Sequence, residues 1–346
     1  MIDSIAASRI PPIPGLVLRP FDPAADYPDL VDLIREAHLA DHVDYLPTEE
    51  ALRTTYEHLP EFDPRRDVLV ADVDGTLVAA TEIQVRTRDG IGVHQTVGWV
   101  RPAWRRRGLG RTLLGWSERR ATEVARIDGR PRRRALTAWP DEQQAGATAL
   151  YKACGYRIVR YAFLMIRDLA DPIPDAPLPV GVEVRAVAPD QHRAIWDADI
   201  EAFRDHWDAV ERTEADFAGW FANPDLDTTL WQVGWHEGEV AGSVMTFVYP
   251  EENTQLGVSR GWLEHISVRR QWRRRGLASA LIGRTLRVLV ERGIGEAALG
   301  VDAESPTGAP RVYEAMGFRR HRVEVGYRKE FTVAPEPEPE PEPASG

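Results

Sequence analysis

Two arginine-rich turns are the segments of this chain whose residue types and spacing could do chemistry. One reads Arg105-Arg106-Arg107-Gly108-Leu109-Gly110-Arg111, the other Arg273-Arg274-Arg275-Gly276-Leu277-Ala278-Ser279, and each lies between a β-branched apolar run and a stretch of helical periodicity. Five arginines and no acid fall within residues 101–111, and five again within 269–275. A helix start exposes unpaired N–H groups and the positive end of its dipole, and glycine removes the Cβ that would keep a bulky anion away from those amides. The implied chemistry is capture of a pyrophosphate. Neither turn has the Gly-Lys-Ser/Thr of a mononucleotide loop or the third glycine of a dinucleotide fingerprint.

A second group of residues could move protons. Glu264 and His265 stand just before the second turn, where the first copy has Thr96 and Val97. A carboxylate or imidazole there could accept a proton. Adjacent strand residues point to opposite faces, so one of the two faces a site and the other makes a structural hydrogen bond. Tyr151 and Tyr313 open two similar segments, Tyr151-Lys152-Ala153-Cys154-Gly155-Tyr156 and Tyr313-Glu314-Ala315-Met316-Gly317-Phe318. On its own each tyrosine reads as a packed aromatic on a helix.

The elements that must position these groups are duplicated. Residues 100–115 match 268–283 at ten of sixteen positions with an offset of 168, the tyrosine segments repeat at 162, and the opening strands 16–19 and 182–185 at 166. Residues 67–71 with 77–84, and 230–235 with 240–248, read as hairpin strands around Asp74-Gly75 and Glu237-Gly238. Strands 96–100, ending at Val100, and 263–268 lead into the turns, apolar residues at 278, 281, 282 and 289 share a helix face, and 135–138 and 298–301 are short strands. The expected organisation is α/β: a first unit 1–168, a linker 169–181 with prolines at 172, 174, 177 and 179, a second unit 182–332, and a Pro-Glu tail 333–346 without a core.

Composition sets the limits. A length of 346 residues favours about two domains, and 43% hydrophobic residues suit a folded chain. No apolar run approaches the ~20 residues of a membrane span, and the one cysteine, Cys154, has no cysteine partner for a disulfide or a metal site. A cytoplasmic protein without membrane or metal is expected. Of 43 basic residues 41 are arginine, which reads as codon usage unless neighbours add a reason. The net charge of −11 argues against nucleic acid, leaving the basic run at 130–134 as a surface loop.

Arg-x-x-Gly-x-Gly/Ala between strand and helix, followed by Tyr-x-x-x-Gly-aromatic, resembles the GNAT superfamily of acyl-CoA-dependent N-acetyltransferases. The resemblance recurs over roughly 16–168 and 182–330, a two-copy layout similar to mycothiol synthase-like proteins. It implies two tandem folds, each a twisted mixed sheet flanked by helices, whose fourth and fifth strands splay to admit acetyl-CoA. It puts the pyrophosphate on the amides of Arg273, Arg274, Arg275, Gly276, Leu277, Ala278 and Ser279, and in the first half on Arg105 to Arg111. Ile266, Ser267 and Val268 would pair with the pantetheine arm, Ser305 would stand where asparagine is common, and Tyr313 would protonate the leaving thiolate. The better match of 301–308, together with Glu264 and His265, implies chemistry in the second half. The acceptor would be a small-molecule amine, with Glu201, Phe203, Arg204, Asp205, His206 and Trp207 near its entrance, and the chain a monomer or homodimer. A sensor that binds acetyl-CoA without turnover is the alternative of another class.

Overall fold

The computed structural model describes residues 10–128, 133–207 and 209–333; the Pro-Glu tail from 334 onward and residues 129–132 of the basic run lie outside them. In the first half, β1 (Leu16–Pro20), α1 (Tyr27–Ala40), α2 (Glu49–His58) and α3 (Pro64–Asp67) precede β2 (Val68–Val73), β3 (Thr76–Arg88) and β4 (Ile91–Val100). Then come α4 (Leu109–Asp128), β5 (Arg134–Ala138), α5 (Ala145–Ala153) and β6 (Arg157–Asp168). The second half repeats the order of strands, with a helix inserted before its fourth strand and none in place of α3. It runs β7 (Glu183–Val184), α6 (His192–Phe203), α7 (Glu214–Phe221), β8 (Gln232–His236), β9 (Glu239–Phe247), α8 (Pro250–Leu256), β10 (Arg260–Val268), α9 (Leu277–Glu291), β11 (Glu296–Asp302), α10 (Ala309–Ala315) and β12 (Arg319–Phe331).

Local chemistry explains the hairpins and the long helices. Asp74 and Gly75 have φ of 52° and 82°, and Glu237 and Gly238 have 49° and 85°, the left-handed pair of a two-residue turn whose twist matches the flanking strands. On α9, Leu277, Leu281, Ile282, Leu286 and Leu289 recur at helical spacing and are buried on the sheet. Each such side chain contributes about 1.5–3 kcal/mol by leaving water. No helix among the described residues is long and apolar enough to cross a membrane.

The two halves do not form separate sheets. They share one twelve-stranded sheet in the order β1-β2-β3-β4-β5-β12-β6-β11-β10-β9-β8-β7. Each half gives its last strand to the other: β12 pairs antiparallel with β5, β6 pairs antiparallel with β11, and β6 and β12 pair with each other. Arg319 faces Ile166 and Arg328 faces Arg157, positions related by the same 162-residue offset, so an approximate twofold axis runs between β6 and β12. Every residue of β5 is buried, a pattern that needs a neighbour on both sides.

The proline segment is also held. Ile173 and Leu178 pack on the second half's core, and Arg167 donates to the carbonyls of Met316, Asp171 and Pro172 at 2.7, 3.0 and 2.9 Å. Because the strands interlock through hydrogen bonds and not through the linker, a protease site inserted at the exposed Asp175 should yield two fragments that elute together on size exclusion; separate elution would contradict the exchange.

Candidate active site

The turn after β10 meets a gap in the sheet. Parallel pairing of β10 with β11 covers only Arg260, Gly261 and Trp262, and beyond Trp262 the strands part. A cavity of about 360 Å³ occupies the parting, lined by Leu263, Ile266, Val301, Ser305, Ala309 and Tyr313. Ser267 is turned the other way, its hydroxyl 3.0 Å from that of Ser243. Arg274 and Gly276 take φ of 59° and 81°, and α9 starts at Gly276 with no side-chain cap, leaving its first amides without capping partners. A Cβ at Gly276 would meet nothing within 4 Å, so the helix start faces open space. This is a fitting cradle for a diphosphate.

The first half repeats the backbone but not the opening. Arg106 and Gly108 have φ of 62° and 93°, and β4 parts from β5 after Gln95. Yet a Cβ at Gly108 would lie 3.4 Å from Pro11, one at Gly110 would lie 3.3 Å from Leu150, and Gln144 Nε2 reaches Asp41 at 3.1 Å. Pro11 and Leu150 thus crowd this turn where the second turn has nothing near its glycine, although Gly108, like Gly276, is itself exposed.

The arginines are less free than their density suggests, which corrects the picture of a locally unbalanced positive turn. Arg273 donates to Val268 O, Asp205 and Ala202 O at 3.1, 2.7 and 2.9 Å, and Arg105 makes the equivalent bonds to Val100 O, Asp41 and Ala37 O. Arg269 pairs with Glu201 and Arg270 with Asp205, as Arg101 does with Glu36. Arg275 and Arg107 lie over Trp272 and Trp104 at 4.9 and 4.7 Å. Glu201 and Asp205 therefore fasten the turn to α6 and do not await an acceptor. Backbone amides, with the exposed Arg274, remain for an anion.

Glu264 and His265 part company at a bulge. The register of β10 on β9 shifts between Leu263 and His265, so Glu264 has no residue opposite; β3 and β4 pair without a shift over their whole length. Glu264 lines the 360 Å³ cavity and accepts a 3.1 Å hydrogen bond from the Tyr249 hydroxyl. Burial pushes its carboxyl above the ordinary value, with His265 and Tyr249 opposing. Glu264 is nonetheless exposed, and it lines both the 360 Å³ cavity and a second one described below. His265 points toward α6, with Nδ1 2.7 Å from Asp199 and the ring against Trp220 and Phe203. Asp199 is fully buried; burial opposes its charge, but His265 and Arg212 hold its carboxyl below the usual value. His265 thus belongs to a structural ion-pair network, and its removal would leave a buried charge short of a partner.

A second cavity of about 610 Å³ lies between the halves and meets the first at Glu264, Gly300 and Glu324, the residues lining both. Its walls include Asp44, Tyr45 and Arg86 from the first half and Trp220, Tyr249 and Trp262 from the second. Asp44 is gripped by Arg260 at 2.6 Å and Arg322 at 3.3 Å, both from the second half. Burial pushes nearby Glu252 up to about 7, against hydrogen bonds from Leu46 N and Trp262 Nε1. Sequence reasoning missed these walls because they become neighbours only across the shared sheet. Phe203, His206 and Trp207 line the smaller cavity.

Tyr313 and Tyr151 also diverge. Tyr313 lines the smaller cavity, its hydroxyl has no hydrogen-bond partner among the described residues, and burial holds its pKa well above the ordinary value. Tyr151 stacks on Tyr327 and meets Tyr156 edge to face, with ring centroids 5.6 and 5.3 Å away, and lines neither cavity.

A strand that bulges and leaves its parallel neighbour, followed by an amide-lined helix start, defines the framework of an acyl-CoA-dependent acyltransferase. Residues 192–318 match the acetyltransferase (GNAT) family and 64–158 the acetyltransferase (GNAT) domain, and the chain belongs to this family of acyltransferases. The mycothiol acetyltransferase of Salinispora tropica is 30% identical over 309 residues, covering 88% of this chain and 94% of that protein. That of Salinispora arenicola is 31% identical, covering 87% and 92%. A GCN5-related N-acetyltransferase from Sphaerobacter thermophilus superposes with a TM-score of 0.69 at 27% identity, covering 92% of this chain and 96% of that one. A tandem GNAT protein from the clavulanic acid biosynthesis pathway shares the fold, with a TM-score of 0.64 at 19% identity over 91% and 98% of the two chains.

The unequal turns generate a test. Gly276→Glu brings bulk and negative charge to the open helix start and should weaken acetyl-CoA binding by about a hundredfold or more in calorimetry, whereas Gly108→Glu should leave it within about twofold.

Proposed function

We propose that the second half, residues 182–332, transfers an acetyl group from acetyl-CoA to the amine of a small molecule. The observation that carries this reading is Glu264, which sits on the β10 bulge where the two cavities meet. The smaller cavity suits the donor: the amides of 274–279 and Arg274 would hold the diphosphate, and the unpaired edge of Ile266 to Val268 would receive the pantetheine amides. Ser305 lines the same cavity. The larger cavity suits the acceptor.

The proposed chemistry uses few groups. Glu264 accepts a proton from the acceptor ammonium, directly or through water, and frees the nitrogen lone pair. The C–N bond forms first and gives a tetrahedral oxyanion; its collapse breaks the C–S bond, and the second proton shed by the nitrogen passes through water to the Tyr313 oxygen that protonates the sulfur. A backbone N–H freed by the bulge would stabilise the oxyanion between these events. Tyr313 gives its proton to the departing sulfur, and its raised pKa keeps that proton in place until a thiolate appears. The first half acts as scaffold, its own turn approached by Pro11 and its tyrosine packed.

The full-length similarity to mycothiol acetyltransferases supports a narrower second reading, an acceptor like that of those enzymes. An acetyl-CoA-dependent screen of amine metabolites, including a mycothiol precursor, with mass-spectrometric detection, tests both. Acetyl-CoA binding without any acetylated product would favour a sensor. With a substrate in hand, Tyr313→Phe and Glu264→Gln should each lower kcat on the order of a hundredfold. Tyr151→Phe should change it less than about twofold, and equal losses at the two tyrosines would move the active site out of the second half.

A further inference from the structure

Glu324 is a second carboxylate at the point where the cavities join. It lies on β12, the strand that crosses from the second half into the first half's side of the sheet. Its backbone is clamped: Glu142 N donates to Val323 O at 2.8 Å and Val325 N to Pro140 O at 2.9 Å. Glu324 faces Ala162 of β6, which in turn faces Asp302 of β11, so the three form one row across the sheet. The methyl of Ala162 and the missing side chain of Gly300 leave a low floor beside Glu324, and a Cβ at Gly300 would meet nothing within 4 Å.

Among the described residues Glu264, Gly300 and Glu324 alone line both cavities, and two of the three are carboxylates. Glu264 has the Tyr249 hydroxyl. The Glu324 carboxylate has no hydrogen-bond or ion-pair partner among the described residues. Its neighbours along the strand and across from it, Arg322 and Asp141, are engaged with each other and with Asp44. Burial and Asp141 push its pKa up, and Arg322 opposes them. The Glu324 side chain is exposed and unpaired where it lines the cavities, so its carboxylate is available to a cation that enters them.

We infer that Glu324 binds the acceptor's ammonium group at the junction, beside Glu264, so that the acceptor enters the site as a cation and loses its proton only there. The inference rests on the larger cavity being the acceptor site. It makes Glu324 a specificity-determining residue that selects protonated amines over their hydroxyl isosteres.

The test is an NMR titration of the full chain, free and saturated with CoA, using n-propylammonium chloride as probe and 1-propanol as its neutral counterpart. The wild-type protein should bind the ammonium and not the alcohol, with shifts at Ala162 and Gly300. Glu324→Gln should weaken ammonium binding about tenfold, Glu324→Asp should restore part of it, and CoA affinity should be unchanged in both. Equal ammonium affinity in wild type and Glu324→Gln, or no ammonium binding at all, would overturn the inference. Failure of CoA to bind the wild type would instead count against the proposed reaction, and the titration of the free protein still decides the role of Glu324. Once an acceptor is known, Glu324→Gln should raise its KM about tenfold and leave the KM for acetyl-CoA unchanged.

Discussion

β5 and β11 are short, largely buried strands that cannot be left as sheet edges, and the rest of the molecule follows from how their free sides are covered. Each receives the final strand of the opposite half, and those two strands then pair with each other. Hydrogen bonds at the centre of the sheet thereby fix the relation between the halves. The 610 Å³ cavity inherits that rigidity, since its walls come from both halves and Asp44 is gripped by two arginines of the other one. A linker alone would leave such a cavity free to open and change shape.

Electrostatics follows the same economy. The arginine-rich turns look like attractors for anions, but most of their guanidinium groups are neutralised by carboxylates on α1 and α6 or lie on tryptophan rings. What they secure is a backbone shape, with Arg106 and Arg274 in the left-handed region and a helix start aimed outward. The charge that would meet a diphosphate comes chiefly from amides. On the side proposed for the acceptor the balance is reversed, and the carboxylates of Glu264 and Glu324 line the cavities.

Much of this was legible in the sequence because it is local. The hairpin turns at Asp74-Gly75 and Glu237-Gly238, the strands before each arginine turn and the apolar face of α9 all lie where periodicity and turn chemistry placed them. The contrast of Glu264 and His265 with Thr96 and Val97 pointed to the strand that carries a bulge. β6 and β12 were not read as strands, and their exchange was invisible, because pairing partners more than a hundred residues apart leave no trace in local spacing. Glu324 was missed for the same reason: it joins Glu264 only through β6 and β11. Glu201 and Asp205 were read as candidates for an acceptor because nothing nearby in sequence announced that Arg269, Arg270 and Arg273 would claim them.

The twofold axis between β6 and β12 gives the chain the plan of a symmetric dimer with exchanged strands. In a dimer of identical subunits every substitution appears twice, so a residue that blocked one nucleotide cradle would block both. Joining the copies through residues 169–181 removes that restriction. One copy can then bring Pro11 against its glycine turn and stack Tyr327 on its tyrosine, while the other keeps its glycine free of contacts and its tyrosine on a cavity wall. Covalent linkage here is a licence for the halves to become unlike.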